Sequence, residues 1–167
     1  MKKKYIYIAS ILLFVLFLLA SILNIIFTKE NNAKTLSTIP RFSFTSVSHN
    51  NIITPTDFKI GNLIINYFST DCDHCQYMAT SFFKNSSRLR DFKIIMVTAD
   101  DKINANAFIK AYNLNLVPNI TVLLDEKREF LEKFGTSVIP SFFIYKDNKF
   151  RKRIIGETKI ENLIIND

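Results

Sequence analysis

From Tyr5 to Phe27 the chain runs for 23 positions without a charged side chain. As a helix rising about 1.5 Å per residue, this stretch is roughly 34 Å long, against a hydrocarbon core of about 30 Å. It is long enough to span a bilayer. Ser10, Ser21 and Asn24 are its only clearly polar members, and Asn24 lies near the far end. Lys2, Lys3 and Lys4 precede it, and such a cluster is held in the cytoplasm while the C-terminal part crosses. A cleaved signal peptide is the competing reading. Its apolar region would end after about 7–15 residues at a small-residue site. Ala20-Ser21 is the candidate, but the apolar run continues through Ile22, Leu23, Ile25, Ile26 and Phe27. A retained signal-anchor is the better reading, and no cysteine is present there for lipid attachment. Either way the rest of the chain is expected outside the cytoplasm, in the periplasm or its equivalent, where disulfide chemistry is allowed.

The expected organisation is a cytoplasmic basic end (1–4), a transmembrane helix (5–27), a polar tether (28–38) and one folded domain (39–167). Apolar residues make up 48% of the chain and charged residues 22%, which excludes disorder as the main state. Sixteen phenylalanines and six tyrosines can fill a core without tryptophan. The net charge is +7, of which Lys2 to Lys4 supply three. The remainder is a mildly basic domain, which argues against nucleic acid as a partner. The one basic cluster, Lys149, Arg151, Lys152 and Arg153, alternates with Phe150 and precedes Ile154-Ile155, as a charged sheet edge would.

Within the domain, Phe42 to Thr45 alternates like a short strand. Leu63–Phe68 and Phe92–Val97 are dense β-branched and aromatic runs that suit buried strands. Asp73 to Leu89, Ile103 to Tyr112 and Lys127 to Phe134 read as helices, the last with Gly135 just past its end. Ile120 to Leu124 is a strand. Phe142–Tyr145 and Phe150–Ile155 form a hairpin around Asp147-Asn148. Thr158 with Glu161 three residues on is a capping box that opens a last helix. Alternating strands and helices followed by a hairpin imply a layered α/β domain, with a mostly parallel centre and an antiparallel edge.

The chemistry-bearing motif is Cys72-Asp73-His74-Cys75, placed after a buried strand and at the start of a helix. In open α/β sheets the carboxyl ends of strands are where sites are built. Cys72 lies nearest the helix N-terminus, where unpaired N–H groups and the macrodipole stabilise a thiolate, so it is the expected nucleophile. Cys75, one turn deeper, is the resolving thiol that attacks the mixed disulfide on Cys72. No second cysteine pair exists, and only His49 and His74 could assist a zinc site, so no metal is expected. A lone cysteine pair could also serve as an inert structural disulfide or in a copper relay. Strand-to-helix placement favours the redox motif over the first, and the second would want further ligands that are not well placed here.

On these residues the chain from Ile39 to Ile165 resembles the thioredoxin-like superfamily. More narrowly it resembles the membrane-anchored TlpA/ResA-type thiol-disulfide oxidoreductases and the related AhpC/TSA-like redoxins. The opening Ile39-Pro40-Arg41-Phe42-Ser43-Phe44, the turn Asp57 to Gly61 before the first buried strand, the segment Pro118 to Asp125 and the run Phe134 to Ile144 carry the match. The resemblance implies a thioredoxin-like fold, with a mixed central sheet flanked by helices. It implies that Pro140 is cis, faces the Cys72 sulfur and leaves Ile139 to pair with an extended substrate segment. It implies a redox-active disulfide, Cys72–Cys75, and no other cofactor.

The departures from the family pattern carry information. Asp71 stands where a tryptophan usually precedes the first cysteine, and Asn66 stands where thioredoxin buries an acid. Cys75 therefore needs another proton acceptor. Ile65 and Ser69 replace the proline and threonine of the peroxiredoxin loop, which argues against a peroxidase site. His74 precedes Cys75 as in DsbA-type oxidants and favours a Cys72 thiolate, whereas Asp71 and Asp73 oppose it. These opposing effects are of similar size, which points to a reductase rather than a strong oxidant. The expected partners are cysteine-bearing proteins and an electron donor in the membrane or envelope. The rival readings are a thioredoxin-like binding module for an envelope partner and a peroxide-reducing redoxin.

Overall fold

The computed structural model describes residues 11–23, 36–58 and 61–164. The chain divides into two compact units, Met1–Thr35 and Leu36–Asp167. In the first, residues 11–23 are helical and their leucines, isoleucines and phenylalanines are exposed. Ser21 satisfies its hydroxyl within the helix by donating to the Phe17 carbonyl at 2.9 Å. Among the described residues no helix is long and apolar enough to cross a membrane. The rest of the expected 5–27 span, the basic end and the tether up to residue 35 lie outside the described residues. The second unit begins three residues before the expected boundary. Leu36 is buried there with Ile39, Phe42 and Phe44.

The second unit is built on one seven-stranded sheet: β1 (Phe44–Ser46), β2 (Ile52–Ile53), β3 (Asn62–Tyr67), β4 (Phe92–Thr98), β5 (Ile120–Leu124), β6 (Ser141–Lys146) and β7 (Lys149–Ile155). The spatial order is β2-β1-β5-β4-β3-β6-β7. The centre, β5-β4-β3, is parallel, and the strands on both flanks are antiparallel. Period-two alternation sorts the central side chains onto two faces. Ile64, Ile94, Met96, Val122 and Phe142 face helices α1 (Asp73–Lys84) and α2 (Lys102–Ala111), packing on Met78, Phe82, Ala105 and Phe108. Leu63, Ile65, Ile95, Val97 and Phe143 face the opposite layer, where Phe42, Phe44 and helix α3 (Phe130–Phe134) lie. Burial on both faces explains the near-continuous apolar runs of β3 and β4.

The hairpin turn Asp147-Asn148 has both φ angles positive, 51° and 62°, the left-handed pair that matches strand twist. Asp147 also fastens the start of β3. Its carboxylate accepts from the Gly61 N–H at 3.1 Å, and its own N–H donates to the Gly61 carbonyl at 3.0 Å. Gly61 sits there at φ 102°, which a side chain would rarely adopt.

Several boundaries depart from the sequence reading, each for a local reason. Helix α1 stops at Lys84 instead of Leu89, and a 3-10 turn at Ser86–Leu89 completes the segment. Helix α3 starts at Phe130 instead of Lys127, because the buried Asp125 carboxylate accepts from the N–H groups of Glu129 and Phe130, both at 2.8 Å. The first strand is Phe44–Ser46 rather than Phe42–Thr45. The capping box at Thr158 does not open an α-helix; only a 3-10 turn forms, at Ile160–Asn162. Its two side chains are engaged elsewhere: Glu161 pairs with Arg88, and the Thr158 hydroxyl accepts from the Asn162 side chain at 3.0 Å.

One buried polar atom has no partner among the described residues, the Tyr145 hydroxyl. Tyr145 is fully buried in β6, edge-on to Phe150. A buried hydroxyl without a partner costs about 1–3 kcal/mol in lost hydration. Tyr145→Phe is therefore expected to stabilise the domain by about 1 kcal/mol, seen as a higher urea midpoint at unchanged slope. A lower midpoint would mean that the hydroxyl has a partner.

Candidate active site

Strand β3 ends at Tyr67, and Phe68 extends its ladder by one bond, donating to the Val97 carbonyl at 3.0 Å. Ser69 to Asp71 then turn the chain into α1. Cys72 is the N-cap of that helix (φ −93°, ψ 115°), with no side-chain oxygen capping the first turn. Its carbonyl accepts the first helical bond, from the Gln76 N–H at 2.9 Å. The residue at the cap of α1 thus carries a sulfur in place of the hydroxyl or carboxylate that usually caps a first turn.

The two sulfurs differ in environment. Cys72 is partly exposed, whereas Cys75 is 1% exposed, and both are free thiols. Burial, together with a hydrogen bond to Cys72, pushes the Cys75 thiol up to about 12; a hydrogen bond from the Ser69 backbone acts in the opposite direction. The buried sulfur is thus a thiol at neutral pH, within bonding reach of the exposed one. With Cys72 replaced by serine, burial should still hold the Cys75 thiol above its ordinary value, so alkylation by iodoacetamide should keep rising through about pH 9 without levelling off. A plateau near pH 8–9 would show an ordinary thiol.

The bond between Ile139 and Pro140 is cis. Pro140 is buried at the head of β6, and its carbonyl accepts from Gly156 at 2.8 Å. Cys72 and Ile139 pack against the same buried cluster, which contains Cys75 and Phe142. Asn66 is 1% exposed, and its amide donates to the Ser141 carbonyl at 3.2 Å, so the position that could have held an acid ties β3 to β6 instead.

The three expected tuning residues, Asp71, Asp73 and His74, are all exposed. His74 does not stand alone: its Nδ1 lies 2.7 Å from Glu157 Oε2, across 83 residues of sequence. Glu157 was not singled out in the sequence, because it follows the hairpin with no motif around it. Asp71 and Thr70 line one side of an open groove of about 570 Å³ that continues past Asp101 to Arg128.

Asp100, just beyond β4, is the residue that sequence reading missed. One of its oxygens, Oδ2, accepts three bonds: from the Thr70 N–H at 2.6 Å, the Thr70 hydroxyl at 2.8 Å and the Ser69 hydroxyl at 3.0 Å. Partial burial raises its pKa, but the bonds from Thr70, Ser69 and Thr98 outweigh that, and the carboxyl is held below the usual carboxylate range. The available signal was topological. β4 runs parallel beside β3, so their carboxyl ends lie together.

Residues 36–152, which contain all of this except Glu157 and Gly156, match the AhpC/TSA family. The chain belongs to the AhpC/TSA family. It is 25% identical to the thiol-disulfide oxidoreductase ResA of Bacillus subtilis (strain 168), over 98% of this chain and 91% of that protein. Among solved structures, StoA of Bacillus subtilis superposes with a TM-score of 0.60 at 19% identity, covering 76% of this chain and 96% of that one. A protein described as a putative thioredoxin of Neisseria meningitidis gives 0.64 at 23% identity, covering 76% and 85%. These structures establish the thioredoxin-like fold. With the family match, the chain is a thioredoxin-like thiol-disulfide oxidoreductase whose redox group is cysteine sulfur.

Proposed function

We propose that this family member reduces disulfides of cysteine-bearing proteins outside the cytoplasm while tethered by its N-terminal segment. The carrying observation is the unequal sulfur pair, with Cys72 partly exposed at a helix N-cap and Cys75 buried behind it as a thiol. The Cys72 thiolate attacks a substrate disulfide, forms a mixed disulfide and releases one substrate thiolate. Cys75 loses its proton and attacks the Cys72 sulfur. The Cys72–Cys75 disulfide forms, the second substrate thiolate leaves, and two electrons have passed to the substrate. Ile139, ahead of the cis proline, is the backbone segment against which an extended substrate aligns. Re-reduction needs a dithiol donor in the membrane or envelope. The uncharged run Tyr5–Phe27 behind Lys2 to Lys4 supports the anchor, with the N-terminus cytoplasmic.

The test uses the full chain in detergent, equilibrated with defined dithiothreitol ratios and assayed by insulin reduction. A potential of about −270 mV, with turnover, supports a reductase, and one of about −120 mV would reverse the direction. A reporter fused to the C-terminus that is active only in the cytoplasm would overturn the tethered reading.

A further inference from the structure

We propose that Asp100 is a positioning residue for thiol exchange: its carboxylate clamps the Ser69–Thr70 turn and so holds Cys72 and Cys75 at exchange distance. The inference rests on the reading of those two cysteines as the redox pair.

The clamp is specific in its geometry. A single oxygen gathers the Thr70 N–H, the Thr70 hydroxyl and the Ser69 hydroxyl. Asp100 is itself fixed, because its N–H donates to the Thr98 hydroxyl at 3.1 Å and Thr98 is the last residue of a fully buried strand end. From the other side the Gln76 side chain donates to the Thr70 carbonyl at 3.1 Å. Thr70 is thus held between α1 and the end of β4. The two clamped residues govern both sulfurs. Thr70 lies two residues before Cys72, and the Ser69 carbonyl accepts from the Cys72 N–H at 3.4 Å. Ser69 also supplies the backbone bond to the Cys75 sulfur. A turn with no glycine or proline, leading out of a strand into a helix, has no other fixed element of this kind in its sequence, Ser69-Thr70-Asp71. Closing a two-thiol ring depends on how well the sulfurs are pre-oriented, so loosening the turn weakens ring closure.

The readout is the glutathione equilibrium constant for forming the Cys72–Cys75 disulfide, measured on the full chain in detergent. Asp100→Ala should lower it about tenfold and Thr70→Val about threefold, with the double variant no lower than Asp100→Ala alone. Asp100→Asn keeps an acceptor for the Thr70 N–H and should recover to within about threefold of the parent. An asparagine variant that behaves like the alanine variant would assign the effect to charge and overturn the clamp. So would additive effects of the two substitutions, or a folded Asp100→Ala chain within about twofold of the parent. If Asp100→Ala does not fold, Ser69→Ala and Thr70→Val carry the test, since each deletes one clamp bond and an unchanged constant for both refutes the proposal. A parent chain that forms no Cys72–Cys75 disulfide at any glutathione ratio would defeat the site reading itself, which is a different result.

Discussion

Cys72→Ser is expected to reduce insulin-reducing turnover to below about one-thousandth of the parent rate, because hydroxyl oxygen cannot form the mixed disulfide. Cys75→Ser should separate the two halves of the reaction. Attack through Cys72 continues, but the buried group behind it is no longer a thiol. Non-reducing gels should then show a substrate–enzyme adduct that dithiothreitol releases, with turnover lost. The asymmetry follows from burial, since the exposed sulfur meets the substrate and the buried one meets only Cys72. Equal adduct formation by both variants would mean that either sulfur can attack, and the assignment of roles would fail.

The largest stability effect is expected at Phe130. Its ring is fully buried and meets four other aromatic rings. Tyr67 stacks at 4.1 Å and Phe134 at 4.2 Å, with Phe143 edge-on at 5.7 Å and Phe44 at 6.5 Å. Phe130→Ala removes the ring around which α3, β1 and the end of β3 pack. A large aromatic-to-alanine change in such a place costs about 3–5 kcal/mol. Chemical denaturation should show a correspondingly lower midpoint. A loss under about 1 kcal/mol would show that the layer closes over the gap. Because Tyr67 is the last residue of β3, the variant should also make the turn at Ser69 and Thr70 more mobile in hydrogen exchange.

The central strands were legible because they are buried on both faces. Leu63 to Phe68 and Phe92 to Val97 read as strands from composition alone, and the structure places them side by side and parallel. The placement of the cysteine motif was legible for the same reason, with strand β3 before it and helix α1 after it. What escaped was set by side chains far away in sequence. Thr158 and Glu161 have the spacing of a helix start, yet Arg88 holds Glu161 from 73 residues away. Ile52-Ile53 is too short to signal a strand, and exists because β1 lies ready to pair with it. Asp100 reads as one of two adjacent acids before a helix. Asp101 is the helix cap, accepting from the Asn104 N–H at 2.8 Å, and nothing in the sequence separates the two roles. Glu157 gained its neighbour His74 only through the return of β7.

The two rims of the sheet have a consequence for an enzyme that handles chains with exposed sulfur. One rim is the two-residue strand β2. The other is β7, where Lys149, Arg151 and Arg153 alternate outward. Neither offers a long, neutral ladder on which an unfolded polypeptide could grow a further strand. With one rim too short and the other studded with cations, the domain resists edge-to-edge pairing with a second chain.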